Sequence, residues 1–216
     1  MKNKQTCFLL FIFFLLYGCN TVEDFKVLHQ VSGPIETNCY LIYGTKSKEA
    51  ALIDPGWQVD TLINHIRKNN LKLKYIFVTH GHVDHFYYIP ELRKLFPNAN
   101  LYFKTGNHEE RYLHFLFMKA KELVGVEEFE LENIIKARAN GITIITDKRI
   151  VQANGLNIIH GHEFATGFFS PVNVARGLFL RGKTSAIQGH NHQTSEHTES
   201  DMNEKITTTW STGCLC

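Results

Sequence analysis

From Phe25 onward, short runs of β-branched and aromatic residues alternate with segments whose apolar positions recur every three to four residues. Phe25–Gln30 and Tyr40–Tyr43 read as strands. Ala51–Asp54 is a third, stopped by Pro55-Gly56. Val59–Lys68 carries apolar residues at 59, 62, 63 and 66, one face of a helix. Lys74–Thr79 is a buried-type strand, Ile89–Leu95 a second helix and Ala99–Phe103 a further strand. Strand and helix in this order predict an α/β layer structure.

The second part changes character. Glu109–Lys136 reads as mostly helical, with many charges and few turn signals. Gly141–Thr146 is strand-like, and Ile150–Val151 and Leu156–His160 flank Asn154-Gly155, a hairpin signal. Val172–Leu180 reads as a short helix, and Ser185–Gln188 and Ile206–Trp210 as strands. No low-complexity linker, long repeat or second apolar span interrupts the pattern.

The first residues do not share it. Lys2 and Lys4 precede an unbroken apolar run, Phe8–Tyr17, too short to span a bilayer comfortably and suited to the core of an export signal. The run ends at Leu16-Tyr17-Gly18-Cys19, which resembles a bacterial lipobox and implies lipidation of Cys19. The alternative is a plain secretory signal with a chance cysteine. The expectation is a signal over 1–19 and a protein anchored in the cell envelope, periplasmic or on the outer surface. Such a compartment permits a disulfide, with Cys39 able to pair with Cys214 or Cys216.

A length of 216 residues fits one domain or two small ones. A net charge of +2 gives no reason to expect nucleic acid as a partner. Histidine changes the picture, because seven of the 12 fall in tight groups: 80, 82 and 85; 160 and 162; 190 and 192.

Thr79-His80-Gly81-His82-Val83-Asp84-His85 follows directly on a strand. A strand end delivers a loop at a sheet edge, where imidazoles and a carboxylate can converge on Zn²⁺ or a related ion such as Mn or Fe. Four ligand-type residues in six positions suit two neighbouring ions, which activate water and polarise the bond under attack. These residues resemble the H-x-H-x-D-H signature of the metallo-β-lactamase superfamily. The resemblance takes in Asn38–Ile42 and Ala51–Gly56, covers about 25–104, and is nearest the glyoxalase II-like branch, whose members cleave thioesters and small esters. It implies His80 and His82 on one ion and Asp84 and His85 on the other. Phe86-Tyr87-Tyr88 stands where that family has small residues, bulk expected to narrow the pocket.

Further on the motifs differ. Gly106-Asn107-His108-Glu109 resembles the G-N-H-[DE] motif of calcineurin-like metallophosphoesterases, Ile158–Gly161 their single downstream histidine, and Gly189-His190-Asn191-His192 their final G-H-x-H. The resemblance covers about 105–216 and lacks that family's two carboxylate-rich N-terminal motifs. It implies Asn107, His160, His190 and His192 as ligands and His108 as the group that protonates a leaving group. His162, Glu163, Glu196 and His197 are expected at most to support ligands.

The chain thus divides into 1–19, 20–104 and 105–216. Both resemblances imply an α/β (α+β) fold, a four-layer αββα sandwich, here a hybrid whose apolar faces need not match. Three readings follow: a lipid-anchored two-metal hydrolase of small-molecule esters, thioesters or phosphoesters, with Asp84 or His108 handling protons; a metal-binding lipoprotein without catalysis; or a chimeric or truncated product. An acid near both clusters would favour the first.

Overall fold

The computed structural model describes residues 25–79, 81–146, 148–153, 155–164, 172–191 and 193–213. His80, His192, Asn154, Cys214, Cys216 and the signal with Cys19 lie outside the described residues.

The strands β1 (Phe25–Ser32), β2 (Thr37–Gly44), β3 (Glu49–Ile53), β4 (Lys72–Val78), β5 (Asn100–Lys104) and β6 (Ile142–Ile145) form one sheet in sequence order. From β3 to β6 all neighbours are parallel. Helices α1 (Asp60–Lys68) and α3 (Ile89–Leu95) cross one face, and the short α2 (Val83–Phe86) precedes α3. The second sheet comprises β7 (Val151–Ala153), β8 (Leu156–Ile159), β9 (Ala186–Gln188), β10 (Thr194–Ser200) and β11 (Ile206–Thr212) in the order β10-β11-β9-β8-β7. In the chain α4 (Asn107–Lys119) and α5 (Leu131–Ile134) fall between β5 and β6, and α6 (Val174–Gly182) lies against the second sheet.

Period-two alternation explains the layers. Leu41, Leu52 and Ile76 turn to the helix side and pack with Leu62, Ile66 and Leu92. Their neighbours Tyr40, Ile42, Ile53 and Phe77 turn the other way and meet Leu156, Ile158 and Ile187 of the second sheet. Ile159 and Ala186 face outward again, onto Leu178 of α6. The result is the expected αββα stack, each fully buried Leu or Ile contributing about 1.5–3 kcal/mol. One irregularity interrupts the alternation: Ala50 pairs with Leu73 but Ala51 with Tyr75, so Lys74 is an extra, bulged residue, its ammonium paired with Glu49.

The predicted elements from Phe25 to Lys104 are present. Glu109–Lys136 is less helical than expected: α4 stops at Lys119, two 3₁₀ turns follow, and α5 is a single turn. Gly125, at φ 80° between extended residues Val124 and Val126, separates the two 3₁₀ turns. After Lys104 the chain returns to the first sheet, since β6 pairs with β5. On α4, Phe115, Phe117 and Met118 are more than half exposed. Among the described residues no helix is long and apolar enough to cross a membrane.

Candidate metal centre

The carboxyl ends of β4, β5, β8 and β9 release the motif loops toward one rim. β4 ends at Val78 and leads past Thr79 to His82, the N-cap of α2, with Asp84 and His85 buried on that helix. β5 leads through Thr105 to Gly106, the N-cap of α4. β8 ends at His160, and β9 leads to Gly189-His190.

Asp54, at the end of β3, organises the first cluster. Its Oδ1 accepts the Thr79 N–H at 2.8 Å and its Oδ2 the Thr79 hydroxyl at 2.7 Å. His85 Nδ1 lies 3.0 Å from the same Oδ2, and His85 Nε2 lies 3.3 Å from Asp84 Oδ2. A carboxylate behind one ring nitrogen fixes the imidazole and turns the other nitrogen to the site. Thr37 donates to Asp84 Oδ2 at 3.2 Å. Burial works to raise the Asp84 carboxyl, but the bond to His85, its charge and the Thr37 hydroxyl outweigh it and hold the group at about 2. Gly56 is required here, because a Cβ would fall 1.3 Å from the Asp84 carbonyl oxygen.

The second cluster gathers at the ends of β8 and β9. The His160 ring lies 4.6 Å from that of His162 and 4.9 Å from that of His190, centroid to centroid. Glu163 accepts the N–H groups of His160 at 3.0 Å and Gly161 at 2.6 Å, and Lys104 Nζ lies 2.8 Å from its Oε1. Ligand-type atoms of His160, His162 and Glu163 all lie within 4.8 Å of one another. The Glu163 oxygens are engaged by backbone and Lys104, which suits a supporting part.

The clusters are close to each other. The His82 and His108 rings stand edge to face at 5.2 Å. Glu109, at N3 of α4, reaches back to accept the Gly106 N–H at 2.7 Å, half of a capping box. Its other oxygen lies 3.0 Å from where a Gly81 Cβ would stand. A Gly106 Cβ would lie 2.3 Å from His160 Nε2 and 2.5 Å from its Cδ2, so only glycine lets the start of α4 close over this buried imidazole. The imidazole–carboxylate donor set fits divalent first-row ions. Asn107 is half-buried in the first turn of α4, and His190 is half-buried.

Phe86 and Tyr87 do not narrow this pocket as expected. Both are exposed on the face of α2 away from Asp84 and His85, and Tyr87 packs on Trp57 at 4.8 Å, while Tyr88 joins the helix-side core. Asp54, Thr37, Lys104, Glu109 and Glu110 were not foreseen as site residues. The strand-end acid before Pro55-Gly56 and the acid three residues after Gly106 were the available signals. Glu196 and His197 lie on β10, with His197 paired to Glu199.

Comparison with known proteins bears on this rim. The chain is 49% identical over 61 residues to hydroxyacylglutathione hydrolase 1 of Vibrio vulnificus, 28% of this chain and 24% of that protein. It is 28% identical over 101 residues to a probable polyketide biosynthesis zinc-dependent hydrolase of Bacillus subtilis, 47% of this chain and 42% of that protein. The matched stretches thus span less than half the length of either relative. Among solved structures, the BLEG-1 B3 metallo-beta-lactamase aligns with 36% of this chain and 36% of its own at 32% identity, with a TM-score of 0.33. The sequence model of the metallo-beta-lactamase superfamily matches residues 32–171, well past half the chain, and takes in Gly106–Glu109 and Ile158–Gly161, so the change of family expected at residue 105 is corrected: one family runs across that boundary. By that match the chain belongs to the metallo-beta-lactamase superfamily.

Proposed function

We propose that the protein is a two-metal hydrolase acting on a thioester or related small ester. The observation that carries this reading is Glu109, a carboxylate between the Gly81 turn of the first cluster and the Gly106–His160 contact of the second. His80, His82, Asp84 and His85 would hold ions together with Asn107, His160, His190 and His192. Zinc suits the donors best, with Mn or Fe as alternatives, and such ions supply a Lewis acid and acidify water.

The chain's own residues do the rest. Asp54 and Thr37 hold His85 and Asp84 in place. Asp84 stays ionised at neutral pH, which suits a ligand better than a proton donor. His108 is exposed beside His82 and is the group placed to hand a proton to a departing thiol or alcohol. The Vibrio and Bacillus relatives, named for hydroxyacylglutathione and for a zinc-dependent hydrolysis, support the substrate class and the metal. Phosphate esters are a second reading, favoured by His108, His160 and His190 of the phosphoesterase-like motifs meeting at this rim. Residues 1–19 we read as an export signal with Cys19 as a lipid anchor to the cell envelope.

The test is metal content of the purified protein, its His82→Ala and its His190→Ala variants, with turnover of a hydroxyacylglutathione and of a phosphodiester. About two ions, as a two-metal site requires, lowered by both substitutions, and thioester cleavage abolished by a chelator are expected. A metal-free parent, or turnover indifferent to chelation, overturns the reading.

A further inference from the structure

Charge is sorted along the strands of the first sheet. Phe25 stands opposite Gly44, Tyr43 opposite Ala50 and Glu49 opposite Lys72, so β1 to β4 begin or finish together at one end of the sheet. α1 returns the chain to the same end: it closes on Arg67 and Lys68, and the Lys72 N–H donates to the Lys48 carbonyl at 2.8 Å. Lys26, Lys46, Lys48, Lys72 and Lys74 join them, so every basic residue of the stretch 25–79 lies at this end, and all are exposed. The acids of that stretch are placed differently. Glu49 shares the basic end and is paired with Lys74. Glu36 lies in the β1–β2 turn, Asp54 follows β3 and Asp60 opens α1, all at the opposite end, where the metal rim is. A whole-chain charge of only +2 hides this separation.

Two further features single out the basic end. Lys48 adopts φ 59°, a left-handed conformation that glycine or asparagine takes at less cost, so the turn carries a charge where a neutral turn residue would fit better. The chain also enters the fold here, since β1 begins at Phe25, and six peptide steps separate Phe25 from Cys19. Six extended steps reach no more than about 22 Å. Glu23 and Asp24 in that stretch offset part of the charge, and a clear positive excess remains.

We infer that this basic end is a docking surface for an anionic phospholipid bilayer, with the metal rim turned away from the membrane. The inference deepens the reading of Cys19 as a lipid anchor and rests on it. An anchor alone lets the body tumble on its tether. Attraction between basic side chains and anionic headgroups fades within a Debye length, so it acts only on a surface already held close. The end beside the tether is that surface, and docking there leaves the rim open to a diffusing ester.

Vesicle sedimentation tests this with the full chain carrying Cys19→Ser, which cannot be acylated. The vesicles are phosphatidylcholine alone and an equal mixture with phosphatidylglycerol. The apolar run before Cys19 adds to binding on both, so the difference between them reads the charge. Tighter binding to the mixture is expected, lost as salt rises from about 0.1 M to 1 M and the Debye length falls from about 10 Å to 3 Å. Each basic side chain near a bilayer is worth about five-fold in affinity. Lys48→Gly, which suits the backbone, should therefore weaken binding to the mixture about five-fold with no loss of thermal stability. Lys48→Gly with Lys68→Ala and Lys72→Ala should weaken it roughly 100-fold. Lys148→Gly removes the same charge from a residue of the same backbone class, at φ 54° beyond β6 and so at the rim end, and should leave binding unchanged. Equal binding to the two vesicles, or equal weakening by Lys48→Gly and Lys148→Gly, overturns the inference. So does binding of a DNA duplex as tight as that of the mixed vesicle, which would make the end a general polyanion surface. Mass spectrometry of the parent extracted from membranes reads the anchor separately: an unmodified Cys19 with vesicle binding intact sinks the anchor reading and leaves the docking surface standing.

Discussion

Asp54 Oδ2 lies 3.0 Å from His85 Nδ1, with both side chains wholly withdrawn from water. The same carboxylate ties down Thr79, the residue just after the strand that leads to the metal motif. Asp54→Asn keeps an acceptor for the Thr79 N–H but can set an amide N–H against His85. Zinc affinity is expected to fall roughly 10- to 100-fold, and stability by about 1–3 kcal/mol for the disturbed buried bonds. Chelator competition and urea unfolding measure the two effects, and an Asp54→Asn protein equal to the parent in both would remove Asp54 from the site.

Gly106 sits at φ −107° and ψ −169°, a backbone conformation open to any residue. Gly106→Ala therefore tests space alone. Its methyl group would lie 2.3 Å from His160 Nε2 and 2.5 Å from Cδ2, so the buried ring must move. The variant should keep the parent's circular dichroism and bind metal more weakly. Full metal content in Gly106→Ala would show that the placement of the His160 ring does not matter to binding.

Lys104 is 2% exposed, and its partner Glu163 pins the backbone that carries His160. Lys104→Met strands a buried carboxylate and is expected to cost about 3–5 kcal/mol in urea unfolding.

The pH dependence follows from Glu163. Burial pushes its carboxyl up, but Lys104 and the N–H groups of Gly161 and His160 pull it down further, and the net direction is downward. A carboxylate lowered by folding stabilises the protein above the ordinary glutamate value of about 4.3, and that contribution is lost as pH falls through its lowered value. Metal-free parent should thus lose stability below about pH 4, and Glu163→Gln should show a shallower acid limb. Identical acid limbs would count against the pair.

Cys39 is a free thiol with no exposed surface, and burial, aided by the Asp54 charge, pushes its ionisation well up. The thiolate is the reactive form. Peptide mapping after iodoacetamide treatment should find Cys39 unmodified in the folded protein and modified in denaturant. Rapid native labelling would mean that β2 opens readily.

The first sheet was legible because β2, β3 and the end of β4 are buried on both faces and bounded by clear turn signals. Ile89–Leu95 coincides with its predicted range for the same reason, a strong apolar face closed by Phe96-Pro97. β10 was not foreseen, since Thr194–Ser200 holds no apolar residue and exists as a strand through its pairing with β11. In the site, the clustered histidines announced themselves by spacing, and Glu109 only as the last letter of a motif. Glu110 did not, because a single acid in a sequence of 21 acidic residues acquires meaning only when folding sets it against a ring or a turn.

The bulge at Lys74 has a consequence for how the protein tolerates change in length. Leu73 and Tyr75, two apart in sequence, face opposite cores because Lys74 loops out between them. Removing that residue would leave Leu73, Tyr75, Ile76, Phe77 and Val78 in simple alternation, each on the side it already occupies. The upstream half of β4 can therefore lose a residue without carrying the histidine loop along, so the strand has a slack joint ahead of its most demanding end.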